Sequence, residues 1–287
     1  MDAPKKISFR AKNAVACGVC GHNNFKEEML TGSGRLIAGK LTEELRRLYE
    51  PTKKYGLVDP HIFHIQVCPA CLYSSFPADF SKGISPEDQQ KLQQQKDHRF
   101  RLVETLFGKL DFELERDLVL GAASYILAVD CYHLRSIEAV PTPKKAVCSM
   151  RSAWLISDLF ADDPEKPFDK VRDYYYVLAA ATYREVAEKL MDGSEDIAAA
   201  AGLLGPAIDH NWAYDGVYYL QAFLTLRHLN QISADPNKIK DEIIYAKSMI
   251  SRLYGDGKPS RGKPAEIINF SKDLYYAILE KVKEFED

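Results

Sequence analysis

Cys17-Gly-Val-Cys-Gly21, answered downstream by Val67-Cys-Pro-Ala-Cys-Leu-Tyr73, decides how the N-terminal part of this chain folds. Two residues between cysteines let one tight turn present both sulfurs, and two such turns supply the four soft ligands that tetrahedral zinc takes. Glycine at position 21 allows the left-handed backbone that points amide groups toward the thiolates, and Pro69 fixes part of the second turn. The spacing therefore predicts a structural zinc ion held by Cys17, Cys20, Cys68 and Cys71 in a ribbon module. Four thiolates close the coordination shell, whereas a catalytic zinc keeps a position open. Two other readings compete. A thioredoxin-like redox pair lacks its βαβ context, and His22 or His64 replacing one cysteine leaves a mixed site.

Working outward, residues 1–82 carry short segments and glycines rather than long periodic runs. His61-Ile-Phe-His-Ile-Gln-Val67 places Phe63, Ile65 and Val67 on one face, as a strand entering the second pair would. Leu41, Leu45 and Leu48 align as a short amphipathic helix between the pairs. Gly34-Arg-Leu-Ile-Ala-Gly39-Lys40 matches the start of a phosphate-binding loop, but Leu41 stands where a magnesium-binding Ser or Thr is needed. No strand signal precedes it, so its glycines read as a surface turn. Ile126 to Asp130, which ends an apolar run in an acid, belongs to a helical stripe instead.

From Ser85 onward the period becomes helical. Ser85-Pro86-Glu87 is a start signal, a capping serine before a proline at the first helical position. Stripes follow at Phe100 to Leu110, Leu118 to Tyr132, Ile239 to Leu253 and Ile267 to Val282, with further helical runs near 143–161, 168–191 and 206–232. The separators are Val140-Pro-Thr-Pro143, Asp162-Asp-Pro164, Asp192-Gly193, Asp235-Pro236 and Gly255-Asp-Gly-Lys-Pro259. Short connections between paired helices imply an antiparallel, tetratricopeptide-like array over 83–287, behind a zinc-ribbon module over 1–82; the fold is mainly α.

The chain of 287 residues has a net charge of -3, which gives no general draw toward nucleic acid or anionic lipid. Lys53-Lys54 and Arg46-Arg47 read as solvated charge. No stretch approaches the ~18 consecutive apolar residues of a membrane span, and Met-Asp-Ala-Pro-Lys-Lys leads into polar sequence, so a cytoplasmic location is expected. Of the six cysteines, Cys131 and Cys148 stand alone inside helical patterns and read as small core residues.

The densest polar and aromatic cluster in the helical part is Asp209-His-Asn-Trp-Ala-Tyr-Asp-Gly216. Asp209, His210, Asn211, Trp212, Tyr214 and Asp215 are candidates for lining a partner groove, or for an acid/base pair; the plainer reading is a helix entry whose polar groups satisfy one another. Tyr174-Tyr-Tyr176 reads mostly as core.

The cysteine pairs with Phe76, together with Ser149-Met-Arg-Ser-Ala-Trp-Leu155 and Tyr214-Asp-Gly-Val-Tyr-Tyr-Leu220, resemble an uncharacterised bacterial family, domain-of-unknown-function family 2225. The resemblance implies a zinc ribbon followed by a tetratricopeptide-like array and implies no activity. Leu72 departs from the glycine that the family pattern places after the last cysteine.

Helical arrays present extended surfaces that bind protein or peptide segments, so the leading expectation is a cytoplasmic, non-enzymatic adaptor with a structural zinc and a protein or peptide partner. The alternatives are a ribbon that contacts nucleic acid while the helices regulate it, and an enzyme using residues 209–216.

Overall fold

The computed structural model describes residues 6–255 and 263–285. The chain is mostly helical, with a small N-terminal strand region that carries the cysteine cluster. The strands pair antiparallel in twos: β1 (Ser8–Arg10) with β4 (Glu27–Met29), β2 (Val15–Ala16) with β3 (Asn23–Asn24), β5 (Ile37–Leu41) with β6 (Arg47–Glu50), and β7 (Gln66–Val67) with β8 (Ser74–Ser75). The short helix α1 (Pro77–Phe80) leads into α2 (Pro86–Gln94) and α3 (Lys96–Phe107). Then come α4 (Leu118–His133), α5 (Pro141–Asp162), α6 (Phe168–Asp192), α7 (Ala213–Ile232), α8 (Pro236–Ile250) and α9 (Ala265–Lys283). The Ser85 hydroxyl caps α2 by accepting from the Asp88 amide at 3.0 Å, as Ser-Pro-Glu predicts.

From α4 on, each helix packs against its neighbour in sequence, an arrangement compatible with a tetratricopeptide-like array. The expected break at Gly255 to Pro259 lies largely outside the described residues.

Helix α4 is buried on nearly every side, from Leu120 through Tyr132. A helix apolar all round belongs inside a structure rather than at its surface, and here it is the post to which the strand region is tied. A 3-10 turn over Pro60–Phe63 lies against it so closely that a Cβ on Gly121 would sit 2.7 Å from Ile62 side-chain atoms. The Tyr125 hydroxyl donates to the His61 carbonyl at 2.9 Å, and the Tyr132 hydroxyl accepts from the Phe76 amide at 3.0 Å. Leu45, Ile65, Val67 and Phe76 share one hydrophobic cluster with Ile126, Trp154 and Leu155, so residues on both sides of position 82 contribute to a common core.

Several expectations are corrected. Leu41 to Tyr49 is a hairpin, not a helix: Leu41 ends β5, Leu45 sits at the turn with φ +56° and points into the core, and Leu48 lies on β6. The segment before Cys68 is a 3-10 turn followed by a two-residue strand, although Phe63, Ile65 and Val67 are all buried as expected. The helix expected from 206 begins at Ala213, after the 3-10 stretch Ile197–Leu203 and an irregular connection. Arg46 is not solvated. It is 9% exposed, donates to Asp59 at 3.1 Å and to Asp158 at 3.0 Å, and lies 5.5 Å from the Trp154 ring. Gly34 to Lys40 runs from a turn into β5, without the helix that a phosphate-binding loop opens, and Ile126 to Asp130 is helical.

Candidate metal centre

The cysteine pairs form two copies of one local structure. In the first, the Cys17 amide donates to the His22 carbonyl at 2.8 Å, and the Gly21 amide donates to the Cys17 carbonyl at 2.9 Å. In the second, the Cys68 amide donates to the Tyr73 carbonyl at 2.9 Å, and the Leu72 amide donates to the Cys68 carbonyl at 2.8 Å. Each turn is closed by a two-residue ladder, Val15 and Ala16 facing Asn24 and Asn23, and Gln66 and Val67 facing Ser75 and Ser74. Gly21 has φ +75° and Leu72 has φ +54°, so the second turn makes the same left-handed step with a leucine. Leu72 is buried, and its packing offsets the backbone cost of roughly 1–2 kcal/mol.

The turns meet with their sulfurs together. Cys17 Sγ lies 3.8 Å from Cys71 Sγ, Cys20 Sγ lies 3.6 Å from Cys68 Sγ, and all four fall within 4.8 Å of one another. A tetrahedron with metal–sulfur bonds of about 2.3 Å has sulfur–sulfur edges of about 3.8 Å, so the separations suit a tetrathiolate metal site. Among the described residues the group consists of these four cysteines, without His22 or His64. Cys17, Cys68 and Cys71 are buried and Cys20 is exposed. Hydrogen bonds from Cys68 and then Cys71 pull the Cys17 thiol down to about 4, against the upward effect of burial. The same contacts with Cys17 and Cys68 push Cys71 up. Cys17 is thus favoured as a thiolate and Cys71 as a thiol, the pattern of neighbouring sulfurs that share a proton until a cation supplies the balancing charge.

No spacing or motif in the sequence marks the side chains that support this group. Arg99, on α3, is fully buried and donates to the Cys71 carbonyl through Nε at 3.2 Å and Nη2 at 3.0 Å, and to the Leu92 carbonyl at 2.8 Å. Gln89 and Gln93, on α2, donate to the Val19 carbonyl at 3.1 and 2.7 Å. Arg135 joins Asp88 at 3.0 Å and the Tyr73 hydroxyl at 3.1 Å, tying the end of α4 and the start of α2 to the second turn. Val19, Tyr73, Phe80, Leu92 and Cys131 form a small apolar cluster with the cysteines. Cys131 and Cys148 are buried core residues, as expected.

The polar side chains of residues 209–216 are engaged with separate partners. Asp209 pairs with Arg47 at 2.8 Å, Asp215 pairs with Lys263 at 2.7 Å, and the His210 ring lies against Trp212. The Asn211 side chain accepts from the Gly205 and Ala213 amides and donates to the Ala201 carbonyl. Trp212 is buried and Tyr214 half-buried. Asn211 thus serves the entry into α7, while Asp209 and Asp215 tie that region to Arg47 and Lys263.

An apolar groove opens elsewhere. About 650 Å³ in volume, it lies between α3, α4 and α6, with Leu102, Leu106, Ile126, Val129, Val171 and Leu178 in its lining. Tyr174, expected in the core, is 61% exposed and stands on its wall, while Tyr175 and Tyr176 are buried.

The profile of a family described as "Uncharacterized protein conserved in bacteria (DUF2225)" matches residues 11–278. An uncharacterized protein of Borreliella burgdorferi is 36% identical over 281 residues, covering 97% of this chain and 99% of its own length. No solved structure matches. Among the described residues no helix is long and apolar enough to cross a membrane.

Proposed function

The chain belongs to the DUF2225 family of uncharacterised bacterial proteins, and on that premise we propose that it is a non-enzymatic adaptor whose ribbon is held by a structural zinc ion. Zinc is the metal whose chemistry suits this donor set: four thiolates, tetrahedral spacing, and a shell with no ligand position left for substrate. Its resident chemistry would be structural, fixing the two turns by binding free energy on the order of 10 kcal/mol. Cys17, Cys20, Cys68 and Cys71 hold it, while Arg99 and the α2 glutamines orient the turns that present them.

The adaptor reading rests chiefly on the groove between α3, α4 and α6. Its apolar lining and the exposed Tyr174 suit the apolar side chains of a polypeptide segment. The cytoplasm, where thiols stay reduced and available to zinc, is the compartment that agrees with this chemistry. Affinity purification of the tagged chain from its native bacterium tests the reading, with Tyr174→Glu/Leu106→Asp as the control. The expected result is a protein recovered with the parent chain and lost with the control, while melting temperature and metal content stay unchanged. Recovery of the chain alone across growth conditions contradicts it.

A further inference from the structure

A second cavity, about 450 Å³, lies between α7, α9 and the β5–β6 turn. Three aromatic rings line it: Tyr219 and Phe223, stacked at 5.8 Å on α7, and Phe270 of α9, 6.2 Å from Tyr219. Two carboxylates stand beside them, Glu43 from the turn and Asp273 from α9. Neither makes an ion pair among the described residues. Arg227, the one cation in the lining among the described residues, is already placed 5.7 Å over the Phe223 ring and 3.8 Å from Glu44.

Tyr219 is 1% exposed, so its ring is held firmly in the wall of the cavity. Burial first, then Glu43, Glu44 and Asp273, hold its hydroxyl protonated well above its usual range. Ring faces attract cations, carboxylates attract them more strongly, and a phenol held in its neutral form offers an acceptor to an N–H donor.

We propose that this cavity receives a basic side chain, lysine or arginine, carried on an extended segment of a partner protein. Charge complementarity selects the occupant: the lining joins three aromatic rings to two carboxylates that are unpaired among the described residues. The cavity also continues, through Glu43, Arg227 and Phe270, into a depression of about 500 Å³ along Lys40 to Leu48, which gives an extended chain somewhere to lie. The proposal rests on the adaptor reading in that the cation is carried by a polypeptide, but it concerns a surface separate from the groove beside Tyr174.

The test is an NMR titration of the full, metal-loaded chain labelled in its tyrosine and phenylalanine rings. The probes are acetyl-Ala-Ala-X-Ala-Ala-amide peptides with lysine, arginine, norleucine or glutamate at X. The lysine or arginine peptide is expected to shift the Tyr219, Phe223 and Phe270 rings, with norleucine and glutamate at least tenfold weaker. Glu43→Gln/Asp273→Asn should weaken the basic peptide at least tenfold, and Tyr219→Phe severalfold, at unchanged melting temperature. Equal binding of norleucine, no ring shift with either basic peptide, or undiminished binding to the double variant overturns the proposal. A partner captured equally well by that double variant would also sink the cation site while leaving the adaptor reading intact. Selective binding of basic peptides with no captured partner would do the reverse.

Discussion

Leu72 occupies, in the second cysteine turn, the left-handed position that Gly21 occupies in the first, and each donates its amide to the carbonyl of the leading cysteine. The two residues bear the same backbone requirement in different ways. A Cβ on Gly21 would meet nothing within 4 Å, so Gly21→Ala should cost only the conformational penalty, about 1–2 kcal/mol. Leu72→Gly relieves that penalty but removes a buried leucine, for a net loss of about 1–3 kcal/mol. Urea denaturation of the metal-loaded variants checks both; a more stable Leu72→Gly protein would show that packing at this position contributes little.

Arg99 is the cysteine site's main buried support, and its fork is matched to two carbonyls. Arg99→Met should destabilise by about 2–4 kcal/mol, because the Cys71 and Leu92 carbonyls lose their donors. Metal affinity should drop by about 10–100-fold, the usual effect of removing a partner that orients a ligand. Arg99→Lys should fail to restore it, since a single ammonium cannot reproduce the fork. Competition with a metal chelator measures the affinity.

Gly121 lets the 3-10 turn at Pro60–Phe63 rest on α4. Its Cβ-bearing variant would press on Ile62 backbone and side chain together, so side-chain rotation offers no relief. Gly121→Ala should cost about 1–3 kcal/mol despite alanine's better helix propensity. A gain in melting temperature would mean that the turn does not sit against α4 in solution.

Burial, then the charges of Arg151 and His61, pull His64 down to about 3. In the unfolded chain it takes up a proton near pH 6.5. Its contribution is therefore intact above that pH and declines as pH falls from about 6.5 toward 3. At pH 5.5 the loss from this residue is about 1.4 kcal/mol. His64→Gln should remove that increment, so its stability should fall less than the parent's between pH 7.5 and 5.5. Parallel slopes for the two proteins would contradict the assignment.

Much of this architecture is legible in the sequence because its signals are local. Two residues between cysteines, Ser85-Pro86-Glu87 and the stripe from Ile239 to Leu253 each describe one turn or one helix face, and local geometry is what spacing encodes. The misread hairpin shows the limit of that logic. Leu41, Leu45 and Leu48 have helical spacing, but a strand end, a turn apex and a facing strand reproduce it, and only the tertiary core decides which applies. Arg99 was invisible for a related reason. Within Lys96-Asp-His-Arg-Phe-Arg101 nothing distinguishes the one arginine that is buried beneath a cysteine turn from those left in water. The dense polar groups of 209–216 offer either a groove or a self-satisfied helix entry, and the sequence does not reveal that Asp209 and Asp215 pair with Arg47 and Lys263, both remote along the chain.

The central claim is that four cysteines hold one structural zinc ion. Metal analysis of the purified chain, with Cys68→Ser measured alongside, tests it most directly. One equivalent of zinc per chain, lost or greatly reduced in the variant, is the expected result. A zinc content near zero in protein purified without chelators, or full zinc retention in Cys68→Ser, would contradict it.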